Sequence, residues 1–157
     1  MYNYHLYLTT NKITYSIKHL FHISASKQKV FEAVSTINGL SKWWTTKTTG
    51  SAAVGSIIQF RFGDMGGLDI KVTENKINER VSWECVASQH GWVGHTLIFL
   101  LDENDDKTRI RFTHDGWNTQ DDYYSACCFS WGRYMESLRQ YCQTGNGEAF
   151  GSEGYRK

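Results

Sequence analysis

The chain has 157 residues, and its 17 Lys and Arg nearly balance its 16 Asp and Glu, giving a formal net charge of +1. There is no sustained basic run, so the composition argues against nucleic-acid binding. The length predicts a single domain. A hydrophobic fraction of 40% and an aromatic fraction of 15% exclude a disordered chain, and the absence of Pro excludes a Pro-rich linker.

The apolar residues form no segment that could cross a membrane. The longest apolar run, Leu97–Leu101, is far shorter than the ~20 residues that a spanning helix needs. The first residues, Met1–Leu8, lack the charged region and the apolar core of a signal peptide. We therefore expect a cytoplasmic protein without a membrane span.

The four cysteines are Cys85, Cys127, Cys128 and Cys142. None forms a C-x-x-C pair, although Cys127 and Cys128 are adjacent. We expect free, mostly buried thiols, which are typical of a reducing compartment. A zinc or redox site is the alternative interpretation.

The first strand is predicted over Tyr15–Ile23, where the alternating residues Tyr15, Ile17, His19, Phe21 and Ile23 fall on one face. Residues 1–13 before it are rich in Tyr and show no clear period. We interpret them as an N-terminal extension or an extra strand, which could pair across two subunits.

Two short helices are predicted after this strand. Ser26 is a suitable N-cap for the first, in which Val30 and Val34 are one turn apart. Asn38 and Gly39 are expected to break it. The second helix packs its aromatic side inward and carries Leu40, Trp43 and Trp44.

Five further strands are predicted from alternating residues between polar turns. Their short connections favour antiparallel neighbours, so we expect a sheet of six strands in all. The residues of the inward face are Ile58, Phe60 and Phe62; Leu68, Ile70 and Val72; Val81, Trp83 and Cys85; His95, Leu97, Phe99 and Leu101; and Ile110, Phe112 and His114.

A long C-terminal helix is predicted where the period changes from two residues to that of a helix. Thr119 and Asp122 resemble a capping box, and Gly145 is a good terminator. The helix would have ~23 residues and be ~35 Å long. Residues 146–157 are rich in Gly and polar residues and are interpreted as a flexible tail. The apolar stripe of the helix consists of Tyr124, Cys128, Trp131, Met135, Leu138 and Cys142.

These elements predict one α+β domain over residues 14–145. An antiparallel sheet with one long amphipathic helix must place its apolar face against that helix, so the sheet curves around it. The two short helices, between the first and second strands, would close one end. The space between the sheet and the helix can be packed or hollow.

Six segments along the chain carry motifs of a known family. They are Ala25–Val34, Leu40–Trp44, Val54–Ser56 with Phe60–Phe62, Glu79–Trp83, Thr108–Trp117 and Trp131–Gly145. In order and spacing they resemble the START, or birch-pollen-allergen, superfamily, and more narrowly the family named after the heat-shock protein 90 ATPase activator homologue. Ser26 stands where the family usually has Pro, and Lys107 where it usually has Gly. The resemblance covers about residues 14–145 and implies the helix-grip fold.

The resemblance implies three candidate functions, since the fold alone does not fix one. The first is binding of a small hydrophobic or aromatic ligand between the sheet and the C-terminal helix, as in a carrier or sensor. The second is a protein-interaction module resembling chaperone ATPase activators, with a chaperone or another protein as partner. The third is a cyclase-like or hydrolase-like enzyme that uses a cavity histidine. We assign no catalytic residue, metal ion or cofactor, and expect a monomer or a homodimer.

The candidate ligand-binding residues face inward from the strands and the long helix. His95 and His114 lie on apolar strand faces, where an imidazole is either a hydrogen-bonded core residue or a group that orients a ligand. Trp92 and Trp117, each beside a glycine, are expected near the mouth of a cavity. A zinc site made of His95, His114 and His90 is an alternative without diagnostic spacing. The other candidates would line the cavity or simply pack as core: Trp44, Phe60, Phe62, Ile70, Trp83, Leu97, Phe112, Trp131 and Tyr134.

Overall fold

The computed structural model describes residues 12–155. The predicted N-terminal extension therefore lies outside the described residues, apart from its last two positions. A single 3-10 turn, Gly63–Met65, precedes β4. The elements in chain order are β1 (Tyr15–Ile23), α1 (Lys27–Ser35), α2 (Ile37–Trp43), β2 (Lys47–Gly50), β3 (Ile57–Arg61), β4 (Gly67–Lys76), β5 (Arg80–Ser88), β6 (Thr96–Asn104), β7 (Lys107–Trp117) and α3 (Asp122–Thr144).

Within residues 12–155 the strands form one antiparallel sheet of seven strands in the order β1-β7-β6-β5-β4-β3-β2. Together with the long C-terminal helix and two short helices, this confirms the predicted α+β helix-grip fold. The sheet has one strand more than the six predicted. The additional strand, β2, is short and mostly exposed, with Thr48 as its buried position. It pairs with β3 along its whole length.

The register of the sheet collects the predicted inward residues on one face. Ile17, His114, Leu97, Trp83 and Val72 are cross-strand neighbours in a row over five strands. All five are buried. Since side chains alternate between the two faces of a strand, this row fixes the face that packs against the helices.

The two short helices meet at Thr36. Ser26 caps α1 as predicted, because its hydroxyl accepts a hydrogen bond from the backbone N–H of Lys29 at 3.2 Å. The break lies at Thr36 and not at Asn38-Gly39. Thr36 has extended backbone angles and its Oγ1 accepts from the N–H of Gly39 at 3.0 Å, which starts α2.

The long helix α3 has 23 residues, and a helix of that length is ~35 Å long. Its N-cap is Asp121, which accepts from the N–H of Tyr124 at 2.9 Å, so the predicted capping box of Thr119 and Asp122 is wrong by position. Gly145 ends the helix in the left-handed conformation, as predicted. No helix within residues 12–155 is long and apolar enough to span a bilayer.

The chain continues along the domain after α3. The N–H of Phe150 donates to the carbonyl of Trp44 at 2.8 Å, and the N–H of Thr46 donates to the carbonyl of Phe150 at 3.0 Å. Ala149 is fully buried, and the ring of Phe150 packs on Phe62. Residues 146–157 were expected to form a flexible tail, whereas in the structure the segment that follows α3 contacts α2, the Trp44–Thr46 segment and α3.

Candidate functional site

The aromatic residues predicted to line a cavity contact one another between the sheet and α3. Trp44 is at the centre of this group, with ring centroids 4.2 Å from Phe60, 5.0 Å from Trp131 and 6.1 Å from Trp83. These separations are those of packed aromatic pairs. Ten of the eleven candidate residues are buried, and Tyr134 is partly buried. The arrangement favours the core interpretation of these rings over the cavity-lining one.

The two candidate histidines form a buried hydrogen-bonded chain with Trp131. The indole N–H of Trp131 donates to Nδ1 of His114 at 3.0 Å. Because an indole nitrogen can only donate, Nδ1 of His114 carries no proton and its proton lies on Nε2. Nε2 of His114 is 2.9 Å from Nδ1 of His95 and donates to it. His95 therefore carries its own proton on Nε2.

This environment keeps both imidazoles neutral. Burial lowers the pKa of His114 to about 3, with a smaller contribution from the repulsion that would arise if both histidines were protonated. Burial also lowers the pKa of His95. Both ring nitrogens of His114 are already bonded to protein side chains. His114 therefore cannot orient a ligand or act as a catalytic base without breaking one of these bonds.

Tryptophan rings surround this chain at the end of the sheet that was expected to form a cavity mouth. The ring centroids of Trp92 and Trp117 lie 4.5 Å and 4.8 Å from that of His114. Trp92 Nε1 donates to the Tyr123 hydroxyl at 3.0 Å, which in turn donates to the carbonyl of His90. Both tryptophans are buried. Across residues 12–155, no group of three or more His, Cys, Asp or Glu side chains is placed to hold a metal ion.

An open groove lies instead along the flank of α3 that faces the edge strand β1. We call it the β1–α3 groove; its volume is about 610 Å³. The helix positions recur at intervals of three and four residues and so form one side of α3. Its lining residues are His19 from β1, Tyr124, Ser125, Cys128, Phe129, Gly132, Arg133 and Glu136 from α3, and Glu148 from the segment after α3.

A thiol and an imidazole meet at the floor of the β1–α3 groove. Sγ of Cys128 lies 4.0 Å from Nε2 of His19, at the outer limit of an S–H···N contact. Burial lowers the pKa of His19, and a hydrogen bond with the backbone of Cys128 offsets part of that effect. The ring of His19 stacks on Phe112. Gly132 leaves the floor open, since a Cβ there would lie 3.5 Å from Cε1 of His19.

His19 and Cys128 belong to different elements, and no sequence pattern predicts that they meet. His19 falls on the inward face of the predicted first strand, and Cys128 falls on the helical stripe of α3. Their contact depends on β1 being the edge strand next to β7, which no local pattern reveals. Tyr124 helps to hold α3 on β1, because its hydroxyl donates to the carbonyl of Ser16 at 2.7 Å.

Comparison with known proteins agrees with this architecture. The family model described as Activator of Hsp90 ATPase homolog 1-like protein matches residues 24–143. The solution structure of the Aha1 dimer from Colwellia psychrerythraea is 36% identical, with a TM-score of 0.78, and the match covers 85% of this chain and 99% of that one. Among curated proteins, none matches this chain.

Two further solved structures share the fold at lower identity. Protein SSP2350 from Staphylococcus saprophyticus is 18% identical, with a TM-score of 0.72, over 86% of this chain and 97% of that one. Protein MLL2253 from Mesorhizobium loti is 22% identical, with a TM-score of 0.71, over 80% of this chain and 95% of that one. The family match, the identity to the Aha1 structure and the helix-grip fold together show that this chain belongs to the Activator of Hsp90 ATPase homolog 1-like family.

Proposed function

We propose that this protein binds a small, largely apolar ligand noncovalently in the β1–α3 groove. The groove itself carries the proposal: its volume of about 610 Å³ falls within the roughly 300–1,000 Å³ of small-molecule sites. Phe129 and Tyr124 supply aromatic surface, and His19 supplies a polar group at the floor. Arg133, Glu136 and Glu148 add charged groups to a lining whose surface is mostly apolar. Mostly apolar walls with a limited number of polar groups are typical of ligand sites.

The groove replaces the interior as the proposed site because the interior is occupied by side chains. Trp44, Phe60 and Trp131 fill the space between the sheet and α3 with rings in contact. A ligand there would have to displace buried rings, and such close-packed interiors resist insertion. In the groove each 100 Å² of apolar ligand surface removed from water would contribute roughly 2.5 kcal/mol before the entropy of association is subtracted.

The test is a fluorescence titration with anilinonaphthalene sulfonate, preceded by native mass spectrometry to detect any ligand retained from the host. We expect one dye per chain. Gly132→Leu, which fills the floor, should weaken binding by roughly 10-fold, about 1.4 kcal/mol. Phe129→Ala should also weaken it, because Phe129 is 70% exposed and forms part of the wall.

The matched control is Leu20→Ala, since Leu20 is 63% exposed and is not among the lining residues of the groove. It should leave the dye affinity unchanged. Dye binding that does not saturate at one site, or that is equally strong in Gly132→Leu and the wild type, would contradict the proposal.

A second candidate function is protein interaction, beginning with a second copy of this chain. The similar structure from Colwellia psychrerythraea is of a dimer. Within residues 12–155, no strand pairs with the outer edge of β1, so its nine residues could extend a sheet across two copies. Light scattering over a range of concentrations tests this. Leu20→Lys on β1 should lower the dimer fraction, and Leu100→Lys on the interior strand β6 should not.

A chaperone ATPase is the other partner to test, because the matched family is named for activation of Hsp90. The measurement is the ATPase rate of an Hsp90-type chaperone with increasing amounts of this protein. A rate that rises and saturates supports this candidate. A rate that stays constant while the chaperone responds to an established activator removes it.

A further inference from the structure

We propose that Cys128 captures apolar α,β-unsaturated carbonyl compounds covalently in the β1–α3 groove, with His19 as the base that takes the thiol proton. The proposal rests on the proposed binding function of the groove and names a class of ligand for it. The reactive pair, the apolar wall and the open floor are three features of one groove.

The geometry pairs a nucleophile with a base that is able to accept a proton. Sγ of Cys128 and Nε2 of His19 are 4.0 Å apart. Burial lowers the pKa of His19, which favours the neutral imidazole. In the tautomer that is protonated on Nδ1, Nε2 has the free electron pair that accepts the thiol proton. A thiol next to a neutral imidazole is the arrangement that activates cysteine nucleophiles, since the thiolate is the reactive form.

The position of Cys128 distinguishes it from the other three cysteines, all of which are free. Burial raises the pKa of Cys85 to about 11 and that of Cys142 to about 12. Burial also raises the pKa of Cys127, which hydrogen-bonds with Tyr123. Among the four, Cys128 lines the β1–α3 groove. Selective reaction at Cys128 is therefore expected.

The reaction is an addition that needs no oxidant or reductant. The proton of the Cys128 thiol moves to Nε2 of His19, and the sulfur attacks the β-carbon of the unsaturated carbonyl. The π electrons of the carbon–carbon double bond move to the carbonyl as an enolate, and the imidazolium returns the proton to the α-carbon. One S–C bond and one C–H bond form, while one S–H bond and one C–C π bond break.

The apolar wall determines which electrophiles react. Phe129 follows Cys128 directly on α3 and lines the same groove, and Tyr124 lies about one helical turn before Cys128. A ligand with an apolar substituent should bind before it reacts, so its rate of addition should saturate with concentration. A small polar electrophile should react without saturation. A saturating rate therefore distinguishes binding followed by reaction in the groove from simple labelling of an accessible thiol.

The experiment compares N-cyclohexylmaleimide with N-methylmaleimide, which share the reactive ring and differ in their apolar group. Adduct formation is followed by intact-mass spectrometry, and each rate is divided by the rate of the same reagent with glutathione. We expect one adduct, located at Cys128 by peptide mapping, with a saturating rate for the cyclohexyl compound. Cys127→Ser should react like the wild type, and Cys128→Ser should not react.

His19→Gln separates the base from the binding site. We expect the rate still to saturate with the cyclohexyl compound, and its maximal value to fall by at least roughly 10-fold, the lower end of what general-base catalysis contributes. His19→Asn repeats the test if the first variant does not fold by circular dichroism. An unchanged maximal rate in the folded variant overturns the role of His19, and equal, linear, glutathione-corrected rates for both maleimides overturn capture.

Failure of capture and failure of the proposed function are distinguished by dye binding to Cys128→Ser. If this variant binds the dye and the wild type shows only linear labelling, noncovalent binding stands and capture is overturned. If this variant and the wild type both fail to bind the dye, the proposed function is overturned, and a saturating rate at Cys128 would then support capture alone.

Discussion

The indole nitrogen of Trp131 on α3 donates a hydrogen bond to Nδ1 of His114 on β7 at 3.0 Å, and both side chains are buried. This bond ties the long helix to β7, the strand next to the edge strand β1, and fixes the protonated nitrogen of His114. Nε2 of His114 in turn donates to Nδ1 of His95, the residue directly before β6. Both ring nitrogens of His114 are therefore hydrogen-bonded, as expected of a buried polar group.

Trp131→Phe should destabilise the fold by leaving Nδ1 of His114 without its donor. Losing the hydrogen-bond partner of a buried polar atom costs roughly 1–3 kcal/mol of folding free energy. The smaller ring of Phe adds a further loss of packing. The matched control is Trp92→Phe, whose indole bonds the partly exposed Tyr123 hydroxyl and should cost less. Urea denaturation of both variants gives the comparison, and equal free energies of unfolding would contradict the special role of the Trp131 bond.

Stability should fall as the pH decreases from about 6.5 towards 3. The pKa of His114 is lowered to about 3 in the folded state from an ordinary value of 6.5. Between these values the unfolded chain binds more protons than the folded one, so the stabilising contribution is complete above pH 6.5 and is lost below it. The slope should approach roughly 1.4 kcal/mol per pH unit for this group.

The variant His114→Gln should flatten that slope between pH 6.5 and about 5.5, where Asp and Glu side chains are still almost fully ionised. The measurement is the free energy of unfolding in urea at a series of pH values. Asp102 contributes at lower pH, because its hydrogen bonds with Arg109 lower its pKa to about 2. A variant that retains the full wild-type slope in the upper window would show that another group causes the loss.

The segment after α3 should be a stable part of the domain. The amide of Phe150 bonds to the carbonyl of Trp44, and Ala149 is fully buried, so both amides should exchange slowly with solvent. Phe150→Ala should cost roughly 1–3 kcal/mol, less than a fully buried Phe, because the ring contacts Phe62 from a partly exposed position. Hydrogen exchange as fast as in an unfolded peptide across 147–151 would instead support a flexible tail.

The strand faces could be predicted because each strand has one buried and one exposed side. The alternation correctly places Trp83, Leu97 and His114 on one face, and the register makes them neighbours. The strand β2 gave no such signal, since Lys47, Thr48, Thr49 and Gly50 show no apolar alternation and the strand exists through its pairing with β3. Tertiary pairing here outweighs local pattern.

The proposed site could not be predicted because it depends on how α3 lies against an edge strand. The sequence pattern places His19 on one face of β1 and Cys128 on the apolar stripe of α3. It could not predict the distance between the two side chains, because 109 residues separate them along the chain. The sequence pattern could not show whether the space between the sheet and α3 is filled by side chains or forms a cavity. In the structure the large rings of Trp44, Trp83 and Trp131 contact one another across this space and fill it.

Gly39→Ala should destabilise the protein, although Ala is the better helix former. A Cβ at Gly39 would lie 2.6 Å from the carbonyl oxygen of Glu32 and 2.7 Å from Cα of Ala33, so α1 and α2 would have to separate. Overpacking of this kind costs roughly 1–3 kcal/mol.

Gly132→Ala is the matched control. At Gly132 a Cβ meets only Cε1 of His19 at 3.5 Å, an ordinary contact, so this substitution should be neutral or stabilise the protein by up to ~1 kcal/mol. Thermal and urea unfolding of the two variants measure the difference, and a Gly39→Ala protein as stable as Gly132→Ala would show that the close approach of α1 and α2 is not required.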